Sequence, residues 1–285
     1  MSRTGRIIWQ AFAAWRAHRA PRMAAALAYY TLFSFTPLLV VVTALVGWVI
    51  GQETAQAEVL AFFERWLSPR EAAFARTALE EALGSDSVSA GLVGFALLLY
   101  AASNVMNYLR ETMNLIWGVV ERPGHSLVHF VSDRLVALSA VVGIGALLLT
   151  SVVASATIAA LDRFTRAFLP GGALVWHATN VFVIFSLACF ALAVVYRVLP
   201  NTRVQWRAAW FGAVISAVLL AVGQTLFALY LRVAAIESVY GAAGSLVVFM
   251  LWVYYSGQII LFGAECSRAF QASSHLGNQN AERGG

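Results

Sequence analysis

Residues 24–51 read AAALAYYTLFSFTPLLVVVTALVGWVIG and contain no charged side chain. The run is longer than the ~20 residues that an α-helix needs to cross the hydrocarbon layer of a bilayer. Five arginines precede it and several apolar runs of similar length follow it. This pattern favours a membrane span over a buried core helix. The run is too long for a cleaved signal peptide, so we expect it to remain in the protein as a signal anchor.

The composition points to an integral membrane protein. The chain has 285 residues, of which 60% are hydrophobic and 12% charged, and its mean hydropathy is +0.74. A soluble protein of this composition would have too little polar surface to cover itself. The net charge of +5 comes from arginine alone, and in a membrane protein we interpret such an excess as a topology signal. Cys189 and Cys266 lie in or beside apolar runs, so neither a disulfide nor a thiolate metal site is expected.

The hydropathy pattern predicts an all-α, polytopic membrane protein with six transmembrane helices. The predicted spans are residues 24–51, 89–109, 135–161, 174–198, 208–231 and 245–266. With these spans, thirteen of the nineteen arginines fall on one side of the membrane and six on the other. Because basic residues are retained on the cytoplasmic side during insertion, we expect both termini to be cytoplasmic.

Three segments flank or interrupt these spans. Residues 1–23 predict a basic interfacial helix that ends at Pro21, because apolar residues recur there at helical spacing among arginines. This helix either anchors the topology, the simpler interpretation, or binds anionic lipid head groups or a partner. Residues 52–87 predict short amphipathic helices that face outward. Residues 269–285 predict a disordered cytoplasmic tail.

Polar side chains recur inside the predicted spans. Proline in the middle of a helix removes a backbone hydrogen bond, so we expect a kink at Pro37. Amides and carboxylates at membrane depth are costly unless they pair across helices or line a wet cavity. We predict one shared substrate cavity lined by Tyr29, Tyr30, Ser34, Pro37, Asn104, Asn107, Tyr254, Gln258 and Glu265. In it the hydroxyls and amides would bind a polar group, and Glu265 would couple to a proton or pair with an arginine such as Arg110. The alternatives are interhelical hydrogen bonds for each amide and an interfacial position for Glu265.

The sequence contains no pattern that indicates catalysis, a metal or a cofactor. His125 and His129 are four residues apart, but no third ligand follows in a recognised zinc spacing. A catalytic triad and a phosphate-binding G-x-x-x-x-G-K-[ST] loop are also missing from the sequence. We therefore expect a protein that is not an enzyme and needs no cofactor. Any driving force for transport would come from gradients, lipid flow or a partner.

Four segments together resemble a known family. They are LAYYTLFSFTPLL (27–39), YRVLPN (196–201), FGAVISA (211–217) with Trp206 before it, and YGAAGSLVVFMLWVYYSGQIILFGAE (240–265). In order and spacing they resemble the YihY/BrkB family of bacterial inner-membrane proteins, which carries an older ribonuclease BN label. The resemblance implies six transmembrane helices in the cytoplasmic membrane. It also implies an association with the cell envelope and virulence, and a suspected role in moving envelope lipids or other substrates.

Three functions compete at this point. The leading hypothesis is a transporter or exporter of a lipid or other envelope substrate, with membrane lipids as partners. The second is a non-transporting scaffold that binds envelope proteins or a second copy of itself. The third is a tRNA-processing ribonuclease, which would need clustered metal ligands or an acid–base pair together with a basic groove for RNA. The sequence offers neither requirement, so no nucleic-acid partner is expected.

Overall fold

The computed structural model describes residues 3–66, 104–119, 172–233 and 244–282, with residues 73, 76, 77, 79, 80 and 150 between them. Within these ranges the protein consists of helices and the turns that join them, without a β-strand. The helices are α1 (Arg3–Ala17), α2 (Ala20–Ile50), α3 (Gln52–Trp66), α4 (104–116), α5 (Gly172–Val198), α6 (Trp206–Val233) and α7 (Gly244–Glu282). The all-helical part of the prediction is therefore confirmed for the described residues.

Three of these helices contain segments long and apolar enough to cross a membrane. The segments are Val181–Val198, Trp206–Leu231 and Leu246–Ser274. They fall on the predicted fourth, fifth and sixth spans. The predicted second span lies within the described residues only from residue 104 onward, and the predicted third only at residue 150. The count of six spans stays a prediction.

The break between α1 and α2 falls earlier than the sequence suggested. The turn at His18 and Arg19 separates the helices, and Arg19 adopts a left-handed backbone conformation with φ 55°. Pro21 lies in the first turn of α2, where its missing N–H costs no helical hydrogen bond. Pro21 therefore starts α2 rather than ending α1. The helix α2 continues from Ala20 to Ile50 through Pro37, and the kink predicted at Pro37 stays a prediction.

Helices α2 and α7 pack antiparallel through two hydrophobic clusters. Near the start of α2, a Cβ added at Gly257 of α7 would lie 3.4 Å from the Cβ of Ala24. Further along α2, the rings of Phe35 and Phe249 are 4.4 Å apart. The earlier residue of α2 (Ala24) contacts the later residue of α7 (Gly257), and the later residue of α2 (Phe35) contacts the earlier residue of α7 (Phe249). The beginning of α2 and the later half of α7 therefore lie at the same end of the bundle. Val59 of α3 is buried in the cluster that contains Phe35 and Phe249, which fits the apolar face predicted between residues 52 and 87.

Helices α6 and α7 approach each other closely at two glycines. A methyl group added at Gly212 would overlap the carbonyl oxygen of Gly263, and one added at Gly263 would overlap the Ser216 hydroxyl. Small residues of this kind let membrane helices pack backbone against backbone. Only glycine fits at these two positions.

The last described helix is longer than the sequence suggested. Helix α7 runs to Glu282 and so continues into residues 269–285, predicted as a disordered tail. Its extension is supported by side-chain contacts, since the rings of Phe270 and Phe211 stack at 4.7 Å. Gln271 Oε1 also accepts a 2.9 Å hydrogen bond from the Gln205 N–H. These contacts with residues at the start of α6 stabilise α7 beyond the predicted span, which ends at residue 266.

Candidate functional site

Helix α1 lies against α7 through a narrow apolar ridge. Ile7 and Ala11 are buried in this contact, and they recur one turn apart on the same face of the helix. Trp9, by contrast, is 64% exposed, and the arginines Arg6 and Arg16 are exposed as well. One face of α1 therefore packs on α7 while aromatic and basic side chains point away from it.

A histidine and a glutamate join α1 to α7 at the end of this ridge. Nδ1 of His18 lies 2.5 Å from Oε1 of Glu265, so the two side chains share a hydrogen bond. Glu265 is 1% exposed and His18 is 26% exposed. A buried carboxylate is costly unless a partner stabilises it. The turn that ends α1 at Arg19 places His18 where it provides that partner.

A second basic side chain lies near the same carboxylate. Nη1 of Arg268 is 3.9 Å from Oε2 of Glu265, too far for a direct hydrogen bond but close enough for electrostatic attraction. Glu265 and Arg268 border a cavity of about 230 Å³ between α1 and α7. Gln10, Ala14, Ala269 and Ala272 complete its lining. Glu265, Arg268 and Gln10 are therefore the polar residues among those that line it.

A larger cavity lies on the other side of the α1 ridge. Its volume is about 290 Å³, and it is lined by Phe12, Trp15, Leu219, Tyr255, Gln258, Ile259 and Phe262. These residues come from α1, α6 and α7. Most of the lining is aromatic or aliphatic, and the amide of Gln258 is its most polar group. We call this space the α1 cavity.

Trp15 lines the α1 cavity and also carries a buried polar atom. Its indole Nε1 is buried and has no hydrogen-bond partner in the protein. Buried polar groups are normally hydrogen-bonded, and an unpaired donor costs about 1–3 kcal/mol. This donor is enclosed by protein atoms and is not exposed to the cavity.

Three of the four segments that carry the family resemblance meet at one buried tyrosine. Tyr196 of YRVLPN donates a hydrogen bond of 2.8 Å to the carbonyl oxygen of Ile260. Its hydroxyl also shares a 2.7 Å hydrogen bond with Ser216 of FGAVISA, and Ser216 donates to the carbonyl oxygen of Ile259 at 3.3 Å. Ile259 and Ile260 belong to the fourth segment. The set fixes α5, α6 and α7 relative to one another, which makes it a structural network.

The structure brings some of the predicted cavity residues together. Gln258 and Glu265 lie seven residues apart on the face of α7 that meets α1, each bordering one of the two cavities. Tyr254 packs against the neighbouring hydrophobic cluster. The structure places His18 and Arg268 beside Glu265, and the predicted pairing of Glu265 with Arg110 stays a prediction.

The other predicted residues lie on α2 and α4. The ring of Tyr30 is 5.3 Å from that of Tyr108 on α4, which is adjacent in sequence to Asn107. Tyr29 is largely exposed, and Asn104 and Asn107 are partly buried. Ser34 is buried and donates to the carbonyl oxygen of Thr31 in its own helix. Pro37 lies inside the continuous α2. A single cavity shared by all nine residues therefore stays a prediction.

Sequence reasoning missed the contribution of α1. His18, Phe12 and Trp15 were assigned to a basic topology segment, because nothing in their spacing connects them to residues more than 240 positions away. The apolar periodicity of residues 3–22 predicted a helix at the membrane interface, whereas the buried residues of α1 are Ile7 and Ala11. The described residues contain no group of three or more histidine, cysteine, aspartate or glutamate side chains that could hold a metal ion.

The match to a family model and the matches to curated proteins agree that the chain resembles one family of membrane proteins. Residues 11–284 match the family described as "Virulence factor BrkB". A "UPF0761 membrane protein" of Pseudomonas aeruginosa is 31% identical over 264 residues, which cover 89% of this chain and 61% of that protein. A protein of the same description from Azotobacter vinelandii is 29% identical over 255 residues, which cover 87% and 59% respectively. The chain thus spans about three fifths of the length of these curated relatives. No solved structure matches the chain.

Proposed function

This chain belongs to the BrkB family of membrane proteins, and from that premise we propose that it is a transporter or exporter of a lipid or another cell-envelope substrate. It would act in the bacterial cytoplasmic membrane with both termini on the cytoplasmic side. Its relatives' names describe them only as membrane proteins. The proposal therefore rests on the residues of this chain.

The buried carboxyl group of Glu265 on a candidate membrane-spanning helix carries the proposal. Ionisable side chains inside membrane segments are rare, and they commonly mark substrate or ion pathways. Glu265 lies within the apolar segment Leu246–Ser274 and is hydrogen-bonded to His18, in the turn that follows α1. A residue that served only as an interfacial anchor would be expected to extend into water.

The α1 cavity supports a substrate that is mostly apolar. Its lining is aromatic and aliphatic, with the Gln258 amide among few polar groups. Binding sites for small molecules have this composition, in which a few polar groups fix the orientation of an apolar ligand. Gln258 and Glu265 lie two helical turns apart on α7, so an amphiphile could meet an apolar wall and a charged group along one helix.

Transport can be tested by reconstitution in liposomes. Purified protein should accelerate the movement of a fluorescent phospholipid between leaflets compared with protein-free vesicles. We expect Gln258→Ala, Glu265→Gln and Asn104→Ala each to slow this movement at least about fivefold, since removing one polar contact of a bound group costs roughly 1 kcal/mol or more. Gln205→Ala removes an amide at an exposed position and should leave the rate unchanged.

Two results would contradict the proposal. Rates equal to wild type in all three variants would remove the proposed site. Folded wild-type protein that moves neither phospholipid nor any other envelope lipid tested would argue against transport and favour a scaffold that binds envelope proteins.

A further inference from the structure

Helix α1 lines both cavities and packs mainly on one neighbour. It contributes Phe12 to the α1 cavity and Ala14 to the second cavity, the one of about 230 Å³ that Glu265 borders. Helix α7 supplies Gln258 to the first and Glu265 to the second. Among the described helices, α1 packs mainly on α7. Movement of α1 alone would therefore open both cavities without breaking the Tyr196 network that joins α5, α6 and α7.

The apolar contact that holds α1 on α7 is small. Ile7 and Ala11 are buried in it and Trp15 is partly buried, whereas Ile8 and Trp9 of the same helix are exposed. The free energy gained by packing scales with the apolar area removed from water. Packing alone therefore stabilises the docked position of α1 only weakly.

Two features of the docked helix oppose this position. Trp15 buries its indole Nε1 without a hydrogen-bond partner, which costs free energy that contact with water would recover. Arg19, in the turn after α1, has φ 55° and ψ 42°, a left-handed conformation that is strained for a residue with a side chain. Movement of α1 about this turn would allow both costs to be relieved.

The hydrogen bond between His18 and Glu265 joins the strained turn directly to α7. His18 is 26% exposed, so its imidazole can exchange the carboxylate for water. Arg268 belongs to α7 itself and stays near the carboxylate when α1 moves. Glu265 would then keep a basic neighbour and gain access to water. The contact can therefore break without leaving a buried carboxylate unpaired, which would be costly.

We propose that α1 is a lid on α7, that the His18–Glu265 hydrogen bond is its latch, and that the lid opens for substrate to enter or leave the α1 cavity. The movement takes place at the turn formed by His18 and Arg19. The gating of substrate rests on the proposed function. The movement of the lid does not, and it is tested without any transport measurement.

The movement is tested by labelling a cysteine placed in the buried contact. Full-length protein carrying Ala11→Cys is treated in detergent with a water-soluble maleimide, and labelling is followed by mass spectrometry. His18→Ala should raise the labelling rate at least about tenfold, since the latch is missing, whereas Arg22→Ala, at an exposed position, should change it less than about twofold. Native Cys189, buried in α5, reports general unfolding and should label at the same rate in all variants. Equal rates with and without the His18 side chain, or a matching rise at Cys189, would overturn the lid.

The gating is tested by tethering the lid. Ala14→Cys on α1 and Ala272→Cys on α7 place two thiols in the lining of the second cavity. A bismaleimide with a disulfide in its linker joins them and is cut by reduction. Tethering should lower phospholipid exchange in liposomes close to the protein-free rate, and reduction should restore the rate measured before tethering. The control is Gln10→Cys with Ala14→Cys, because the same reagent then occupies the cavity but joins two positions one turn apart on α1.

Three results would overturn the gating. Tethered protein that exchanges phospholipid at its untethered rate would show that α1 need not move. The same loss in the control would assign the effect to occupancy of the cavity. Absence of exchange in wild-type protein would refute the proposed function and the gating with it, while the labelling rates would still decide whether α1 is a lid.

Discussion

Replacing His18 with alanine should destabilise the contact between α1 and α7. The substitution leaves Oε1 of the 1% exposed Glu265 carboxylate without its 2.5 Å hydrogen bond. Removing one partner of a fully buried ion pair costs about 3–5 kcal/mol. His18 is 26% exposed and Arg268 lies 3.9 Å from the other carboxylate oxygen, so water and the guanidinium compensate in part. We expect a loss of about 2 kcal/mol, or a melting temperature lower by roughly 5 °C.

A double-mutant cycle separates this contact from general damage. Glu265→Gln removes the charge and keeps the side-chain shape, and His18→Ala should then cost at least about 0.5 kcal/mol less than it does in the wild-type background. Thermal unfolding in detergent, followed by tryptophan fluorescence, measures the four proteins. Arg22→Ala, at an exposed position in the first turn of α2, should combine additively with Glu265→Gln. If His18→Ala and Glu265→Gln also add within about 0.3 kcal/mol, the two side chains do not interact as described.

Three further stability predictions use the same unfolding assay. Gly263→Ala should cost about 1–3 kcal/mol, because the new methyl group overlaps the Ser216 hydroxyl; a melting temperature equal to wild type would refute the close packing of α6 on α7. Gly257→Ala should be neutral or slightly stabilising, since the methyl group would lie at 3.4 Å from Ala24 and alanine favours the helix; a large loss there would contradict the packing on α2. Asn114→Ala should cost about 1–3 kcal/mol, because its buried Oδ1 accepts a 2.7 Å hydrogen bond from the Asn201 N–H; no loss would show that this link is unimportant.

The local features of the sequence predicted the local features of the structure. Residues 24–50 of the uncharged run lie within one helix, and the last three apolar runs coincide with the candidate spans in α5, α6 and α7. Amphipathic periodicity before and after the first run correctly indicated helices at α1 and α3. These predictions work because helix length and apolar periodicity are set by residues close together in the chain.

Features that depend on tertiary contacts could not be predicted in the same way. The partner of Glu265 is 247 residues away, and no spacing rule connects a histidine in a turn to a glutamate in a distant helix. The continuation of α7 beyond residue 268 is stabilised by contacts with Phe211 of α6 and with Gln205 just before that helix, and the polar composition of the last residues did not reveal these contacts. Tyr196 was predicted in part. Its motif YRVLPN was singled out from the sequence, but only the structure shows its hydrogen bonds to α6 and α7.

The most direct test of transport through the α1 cavity fills that cavity with a larger side chain. The rate of phospholipid exchange is then measured in liposomes that contain the variant protein. Leu219 lines the cavity, whereas its neighbour Val218 is exposed on α6. We predict that Leu219→Trp lowers exchange close to the protein-free rate, while Val218→Trp, which adds the same ring outside the cavity, keeps the wild-type rate. Wild-type exchange in folded Leu219→Trp protein would contradict the account.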